Sequence, residues 1–217
     1  MIKNDVIKLI ENEKIIVIVR GVNKEDLIPL ANAMYDGGIR LLEITYSANG
    51  SVSDEQTAEN IKLLADYFDG KMVIGAGTVL TEKQVELTYK AGGKFIISPD
   101  SYDKVIKKTN ELGLVSIPGA LTPTEIQSAY RAGADFIKLF PITDLGVSYF
   151  KAVKAPLSHV KFLAVGGINE NNMSDYLKAG ICGFGIGSNI VDKKLINEKK
   201  YDKITELAKT FLSAVKI

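Results

Sequence analysis

Two residues of opposite charge interrupt two strand-like runs that are otherwise apolar. Lys138 lies within Phe136-Ile137-Lys138-Leu139-Phe140, and Glu43 within Leu41-Leu42-Glu43-Ile44. Burial disfavours the ammonium form of a lysine and lowers its pKa. A neutral amine attacks carbonyl carbon, so a Schiff base is one chemistry that such a lysine supports. The plainer alternative is a strand lysine whose stem packs while its head reaches water. Strand side chains alternate between faces, which places Leu41, Glu43 and Thr45 on one face and Phe136, Lys138 and Phe140 on another. If both strands line one cavity, carboxylate and amine meet in its mouth. A purely structural buried ion pair is the competing account.

The elements that must position these two groups alternate along the chain. A short helix over 6–13 opens it. Strands are expected over 15–19, 39–45, 72–75, 95–98, 114–117, 136–140, 160–165 and 181–186. The first, Ile15-Ile16-Val17-Ile18-Val19, has the β-branched run of a strand covered on both faces. Helices are expected over 24–35, 53–67, 81–90, 102–112, 122–131, 148–156, 171–178 and 201–215, with Asn23 capping the first of them. Gly37-Gly38, Gly92-Gly93, Gly113 and Gly133 end helices where a left-handed residue is needed. Eight strand-then-helix units predict an α/β (β/α)8 TIM barrel with a short N-terminal helix, in a single domain over 1–217. A doubly wound open sheet is the alternative. Its dinucleotide-binding form needs Gly-x-Gly-x-x-Gly after the first strand, and Arg20-Gly21-Val22-Asn23 does not supply it.

Composition narrows the function classes. With 27 basic against 26 acidic residues among 217, nothing points to nucleic acid or an anionic membrane. No apolar run approaches the roughly 18–20 residues of a membrane helix, and residues 1–14 lack the apolar core of a signal peptide. A single cysteine, Cys182, excludes an internal disulfide, fits a cytoplasmic location and reads as packing. His159 is the one histidine, so neither a histidine metal pair nor a triad is available, and a surface position is expected.

In a barrel, function gathers at the carboxyl ends of the strands. Those ends read Arg20, Glu43, Thr45, Thr78, Pro99, Pro118, Lys138, Gly166-Gly167 and Ser188. Val165-Gly166-Gly167-Ile168-Asn169 and Gly185-Ile186-Gly187-Ser188-Asn189 are each expected to run directly into a helix. Backbone N–H groups there would bind a phosphate, as barrels often do after strands seven and eight. Glycines serving only tight turns are the alternative.

In order along the chain, Glu43-Ile44-Thr45, Gly75-Ala76-Gly77-Thr78-Val79, Ile97-Ser98-Pro99, Ile117-Pro118-Gly119, Ile137-Lys138-Leu139-Phe140-Pro141 and Gly166-Gly167-Ile168 resemble the 2-keto-3-deoxy-6-phosphogluconate and 4-hydroxy-2-oxoglutarate aldolases, including their 6-phosphogalactonate branch. The likeness runs from about Ile15 to Lys216. Each motif is weak alone, and the ordered set is specific. The resemblance implies a class I (Schiff-base) aldolase with no metal or cofactor, usually a homotrimer, acting on a phosphorylated 2-keto sugar acid and releasing pyruvate. It makes Lys138 the imine-forming lysine and Glu43 the acid/base. Thr78 would lie near the substrate carboxylate and catalytic water, with Pro99, Pro118 and Phe140 lining the pyruvate pocket. Gly166, Gly167, Gly187 and Ser188 match the phosphate loops.

One departure bears on the substrate. Gluconate-type members carry Arg two residues after the threonine of Glu-x-Thr, where this chain has Ser47. Arg20 would then supply the guanidinium, as in galactonate-type relatives, and the Gly187-Ser188-Asn189 ending also resembles that branch. Two other classes stay open on the residues alone. One is a phosphate-binding barrel isomerase or synthase without an imine; the other is a non-catalytic sugar-phosphate binder.

Overall fold

The computed structural model describes residues 1–216, and Ile217, the last residue of the expected domain, lies outside them. The expected alternation is present as nine parallel segments: β1 (Ile15–Val19), β2 (Leu41–Thr45), β3 (Val73–Gly77), β4 (Phe95–Ile97), β5 (Val115–Ile117), β6 (Gly119–Ala120), β7 (Ile137–Leu139), β8 (Phe162–Val165) and β9 (Gly183–Ile186). They pair in the order β5-β4-β3-β2-β1-β9-β8-β7-β6. Both ends of that order belong to one stretch of chain, because β5 and β6 are separated only by Pro118, which has no N–H to donate. The nine segments are therefore eight barrel staves. The open-sheet alternative is set aside.

The register explains why the strands are apolar throughout. One cluster of buried side chains fills the barrel: Ile16, Leu41, Val73, Phe95, Ile97, Val115, Ile117, Phe136 and Leu163. Residues one position along the same strands, such as Val17, Leu42, Ile74, Ile96 and Ile137, face the surrounding helices. The opening helix, α1 (Lys3–Glu13), sends Val6 and Ile10 into the interior cluster and so closes the amino-terminal end of the barrel. It starts three residues earlier than expected. Cys182 packs against the same cluster. His159 is exposed, with its ring edge-on to Tyr130.

Outside the barrel run α2 (Lys24–Asp36), α3 (Asp54–Tyr67), α4 (Glu82–Lys90), α5 (Asp103–Glu111), α6 (Pro123–Arg131), α7 (Gly146–Lys154), α8 (Met173–Lys178), α9 (Lys193–Asn197) and α10 (Tyr201–Val215). Asn23 stands at the N-cap of α2, but its side chain makes no capping bond. α9, too short to show a period, was not expected. No described helix is long and apolar enough to cross a membrane.

A buried carboxylate ties the chain's last segment to the wall. Asp26, in the first turn of α2, accepts hydrogen bonds from the Lys199 ammonium and the Tyr201 hydroxyl at the start of α10. These bonds hold its pKa below the ordinary 3.8, against the opposing effect of burial. A depressed folded-state pKa stabilises the fold above the unfolded value and ceases to do so as pH falls through the folded value. Asp26→Asn is expected to lower the melting temperature at pH 7 by several degrees, since about 1 kcal/mol moves the midpoint roughly 2–4 °C at this chain length. The deficit should shrink as pH is taken below 4 in parallel thermal melts.

Candidate active site

Glu43 and Lys138 follow Leu41 and Phe136 on the inward faces of their strands, one step nearer the carboxyl end of the barrel. Both are buried, with 1% of Glu43 and 7% of Lys138 exposed. Burial raises the Glu43 pKa, opposed by the nearby charges of Lys138 and Arg20. Burial likewise lowers that of Lys138; Glu43 opposes the shift, and Arg20 adds to it. Each group is thus pushed toward its neutral form by lost hydration and toward its charged form by the other.

Their immediate contacts leave one carboxylate oxygen unpaired. The Lys138 amine sits 4.6 Å from the centre of the Phe140 ring, which covers it from one side. Oε2 of Glu43 is buried and has no hydrogen-bond partner among the described residues. Leaving such an acceptor unpaired costs about 1–3 kcal/mol or more, a price that only a ligand or water brought to it would offset. Pro118 is buried beside the lysine, and its carbonyl accepts the Lys138 backbone N–H at 2.9 Å. The break that Pro118 makes between β5 and β6 therefore falls at the level of the amine.

Arg20 leaves the end of β1 and donates from Nη2 to Thr78 Oγ1 at 2.9 Å. Thr78 follows β3 with φ of 55°, a left-handed conformation that costs a β-branched residue on the order of 1–3 kcal/mol. A cavity of about 420 Å³ is lined by Arg20 together with Thr45 and Ser47, the serine that stands where gluconate-type sequences carry arginine. Asn60 lines the same cavity with its Oδ1 buried and unpartnered. Its helical setting carried no sequence signal.

The glycine loops differ from expectation in how they are built. A second cavity, of about 520 Å³, is bordered by Arg20, Gly187, Ser188 and Lys193. Yet no helix begins directly at either glycine turn. Past Gly167, α8 begins only at Met173. Past Ser188, α9 begins at Lys193, and its first free donors, the N–H groups of Lys194 and Leu195, already bond the Asp192 carboxylate. An anion in the second cavity would be met by loop N–H groups and side chains, not by a helix end. Gly166 and Gly167 both have left-handed φ and pack on Thr143. Pro99 lies across from Gly119, whose missing side chain lets the two backbones approach.

Residues 6–207 match the family model "KDPG and KHG aldolase". The chain is 31% identical to 2-dehydro-3-deoxy-6-phosphogalactonate aldolase of Escherichia coli, over 93% of this chain and 96% of the relative. It is 32% identical to 2-dehydro-3-deoxy-phosphogluconate aldolase of Haemophilus influenzae, over 97% of each. Among solved structures it superposes with a TM-score of 0.84 and 30% identity on KDPG aldolase from Legionella pneumophila, covering 94% of this chain and 97% of that one; there, pyruvate was captured at low pH as a covalent carbinolamine.

Proposed function

The chain belongs to the KDPG and KHG aldolase family and is a class I aldolase, and we propose that it cleaves a 2-keto-3-deoxy-6-phospho sugar acid to pyruvate and glyceraldehyde 3-phosphate through an imine on Lys138. The observation that carries the assignment is the buried amine, held toward its neutral form, in the same barrel mouth as a buried carboxylate with an unpaired oxygen.

Neutral Lys138 adds to the C2 ketone; the carbinolamine hydroxyl takes a proton from Glu43 and leaves as water, giving a protonated imine and the Glu43 carboxylate. The imine accepts the electron pair of the C3–C4 bond as it breaks. Glu43 takes the C4 hydroxyl proton, and the aldehyde departs. The enamine left on Lys138 is protonated at C3, and water releases pyruvate. Pro118 and Phe140 bound the space over the amine, with Pro99 beyond them, while Thr45 and Thr78 face the carboxylate end. Gly166, Gly167, Gly187 and Ser188 receive the phosphate. Binding energy from that remote group orients the reacting carbons, so a non-phosphorylated analogue should lose kcat as well as affinity.

Arg20 is the cation for the substrate carboxylate, and the 6-phosphogalactonate epimer is the preferred substrate. Arg20→Met is expected to raise KM roughly 10- to 100-fold, the effect of losing a charge-assisted contact of about 1.5–3 kcal/mol. Because Arg20 lowers the Lys138 pKa, the same variant should move the lysine limb of the pH profile upward. Steady-state kinetics across pH checks both. A lactate-dehydrogenase-coupled assay with the phosphogluconate, phosphogalactonate and 4-hydroxy-2-oxoglutarate substrates tests the assignment as a whole. Equal rates on both epimers would overturn the branch preference, and release of no pyruvate from any of them would overturn the activity.

The resemblance also carries a homotrimer of the single-domain chain, working in the cytoplasm. Light scattering should then return three times the 23.6 kDa chain mass.

A further inference from the structure

Strand β3 carries glycine at two consecutive inward positions, Gly75 and Gly77, both buried. Neither has a left-handed φ, so backbone freedom is not what these positions use. What they use is the absence of a side chain. A Cβ on Gly75 would fall 2.3 Å from the Phe95 ring. One on Gly77 would fall 1.5 Å from Oε1 of Glu43, 2.2 Å from its Cδ and 2.5 Å from its Cγ, and these are the three nearest atoms. Neighbouring staves thus fill the interior space that β3 leaves empty, β4 with an aromatic ring and β2 with a carboxyl group.

The register shows what this does to the carboxylate. Glu43 pairs with Gly75, and Gly77 pairs with Thr45, two residues nearer the mouth. The Glu43 side chain therefore leans one full strand step toward the carboxyl end and rests where a Gly77 side chain would stand. Oε1 occupies that slot, and Oε2 is left without a partner among the described residues. Had the position been alanine, this placement could not exist.

We propose that Gly77 is a positioning residue, a side-chain-free slot that sets the depth and direction of the Glu43 carboxylate relative to the Lys138 amine. This rests on the reading of Glu43 as the acid/base. A methyl group at Gly77 forces the carboxylate to another rotamer, and displacement of a reacting group by about 1 Å can cost on the order of 10²-fold.

Gly77→Ala is expected to lower kcat about 10²-fold with KM changed less than about threefold, and to move the pH profile. Covalent trapping of pyruvate on Lys138 should persist, since the amine is untouched. Shortening the acid by one methylene should relieve the overlap. Glu43→Asp, damaging in the native background, should be neutral or beneficial beside Gly77→Ala. A purely structural role for Gly77 would not produce that reversal. Stability gives a test independent of turnover: the alanine should lower the melting temperature when Glu43 is present and cost almost nothing beside Glu43→Ala. Equal destabilisation in both backgrounds would overturn the proposal, and so would a fully active Gly77→Ala alongside an inactive Glu43→Gln. An active Glu43→Gln would instead overturn the acid/base assignment itself.

Discussion

Lys138→Met removes turnover: kcat/KM is expected to fall by on the order of 10⁴-fold or more, because no other group replaces the electron sink that an imine provides. Methionine nearly preserves the buried volume, so the barrel should remain folded and its circular dichroism unchanged. The carboxylate left behind reports on the same geometry. Lys138 opposes the burial that raises the Glu43 pKa, so its removal drives Glu43 further toward the protonated form, which an unpaired buried carboxyl tolerates. A variant that retained more than a few per cent of native turnover would show that turnover does not pass through an imine on Lys138. Coupled detection of pyruvate over a range of enzyme concentrations has the dynamic range to decide.

Glu43→Gln has the second largest expected effect. It keeps shape and removes proton transfer, which is worth about 10²–10⁴-fold in kcat. Imine formation should survive, more slowly. The sign of the pH effect follows from the coupling between the two groups. Glu43 raises the Lys138 pKa, partly offsetting the lowering by burial. Without that negative charge the amine loses its proton more readily, so the limb that reports lysine deprotonation should move to lower pH. In the native enzyme the two titrate as a coupled pair, and the profile reports values belonging to both. A limb that stayed fixed or moved upward in Glu43→Gln would show that the two groups do not share one electrostatic environment.

Much of this arrangement is legible in the residues, for a physical reason. A period of two assigns faces, and a charge in an otherwise apolar inward row is costly enough to stand out. That is why Glu43 and Lys138 stand out within their own strands, whatever interior those strands face. The parts that were not legible depend on contacts between staves. The strand expected over 72–75 continues to Gly77, and Phe95 and Glu43 fill the space that its two glycines leave. The slot under Glu43 needs the β2–β3 register, which no local pattern contains. Pro118 hid β6 by ending the run of strand formers before the stave itself ends. The phosphate-binding rationale drawn from helix ends failed at α9 because Asp192, four residues past Ser188, caps the helix itself.

The proposed role of Arg20 at the substrate carboxylate draws support from where the residue sits. The residue borders both mouth cavities and is steadied by Thr78, which holds a strained backbone at the end of β3. Strain of this kind is retained where the surrounding structure fixes it, and beside Thr78 the Val79 N–H is bonded to the Ile97 carbonyl while the hydroxyl accepts from the guanidinium.

The most direct test is to mix the protein with pyruvate, reduce with borohydride and locate the added mass by peptide mapping. A stoichiometric three-carbon adduct on Lys138, absent when borohydride is added before pyruvate, is the predicted result. An adduct on a different lysine, or none at a pyruvate concentration that inhibits cleavage, would contradict the assignment of Lys138.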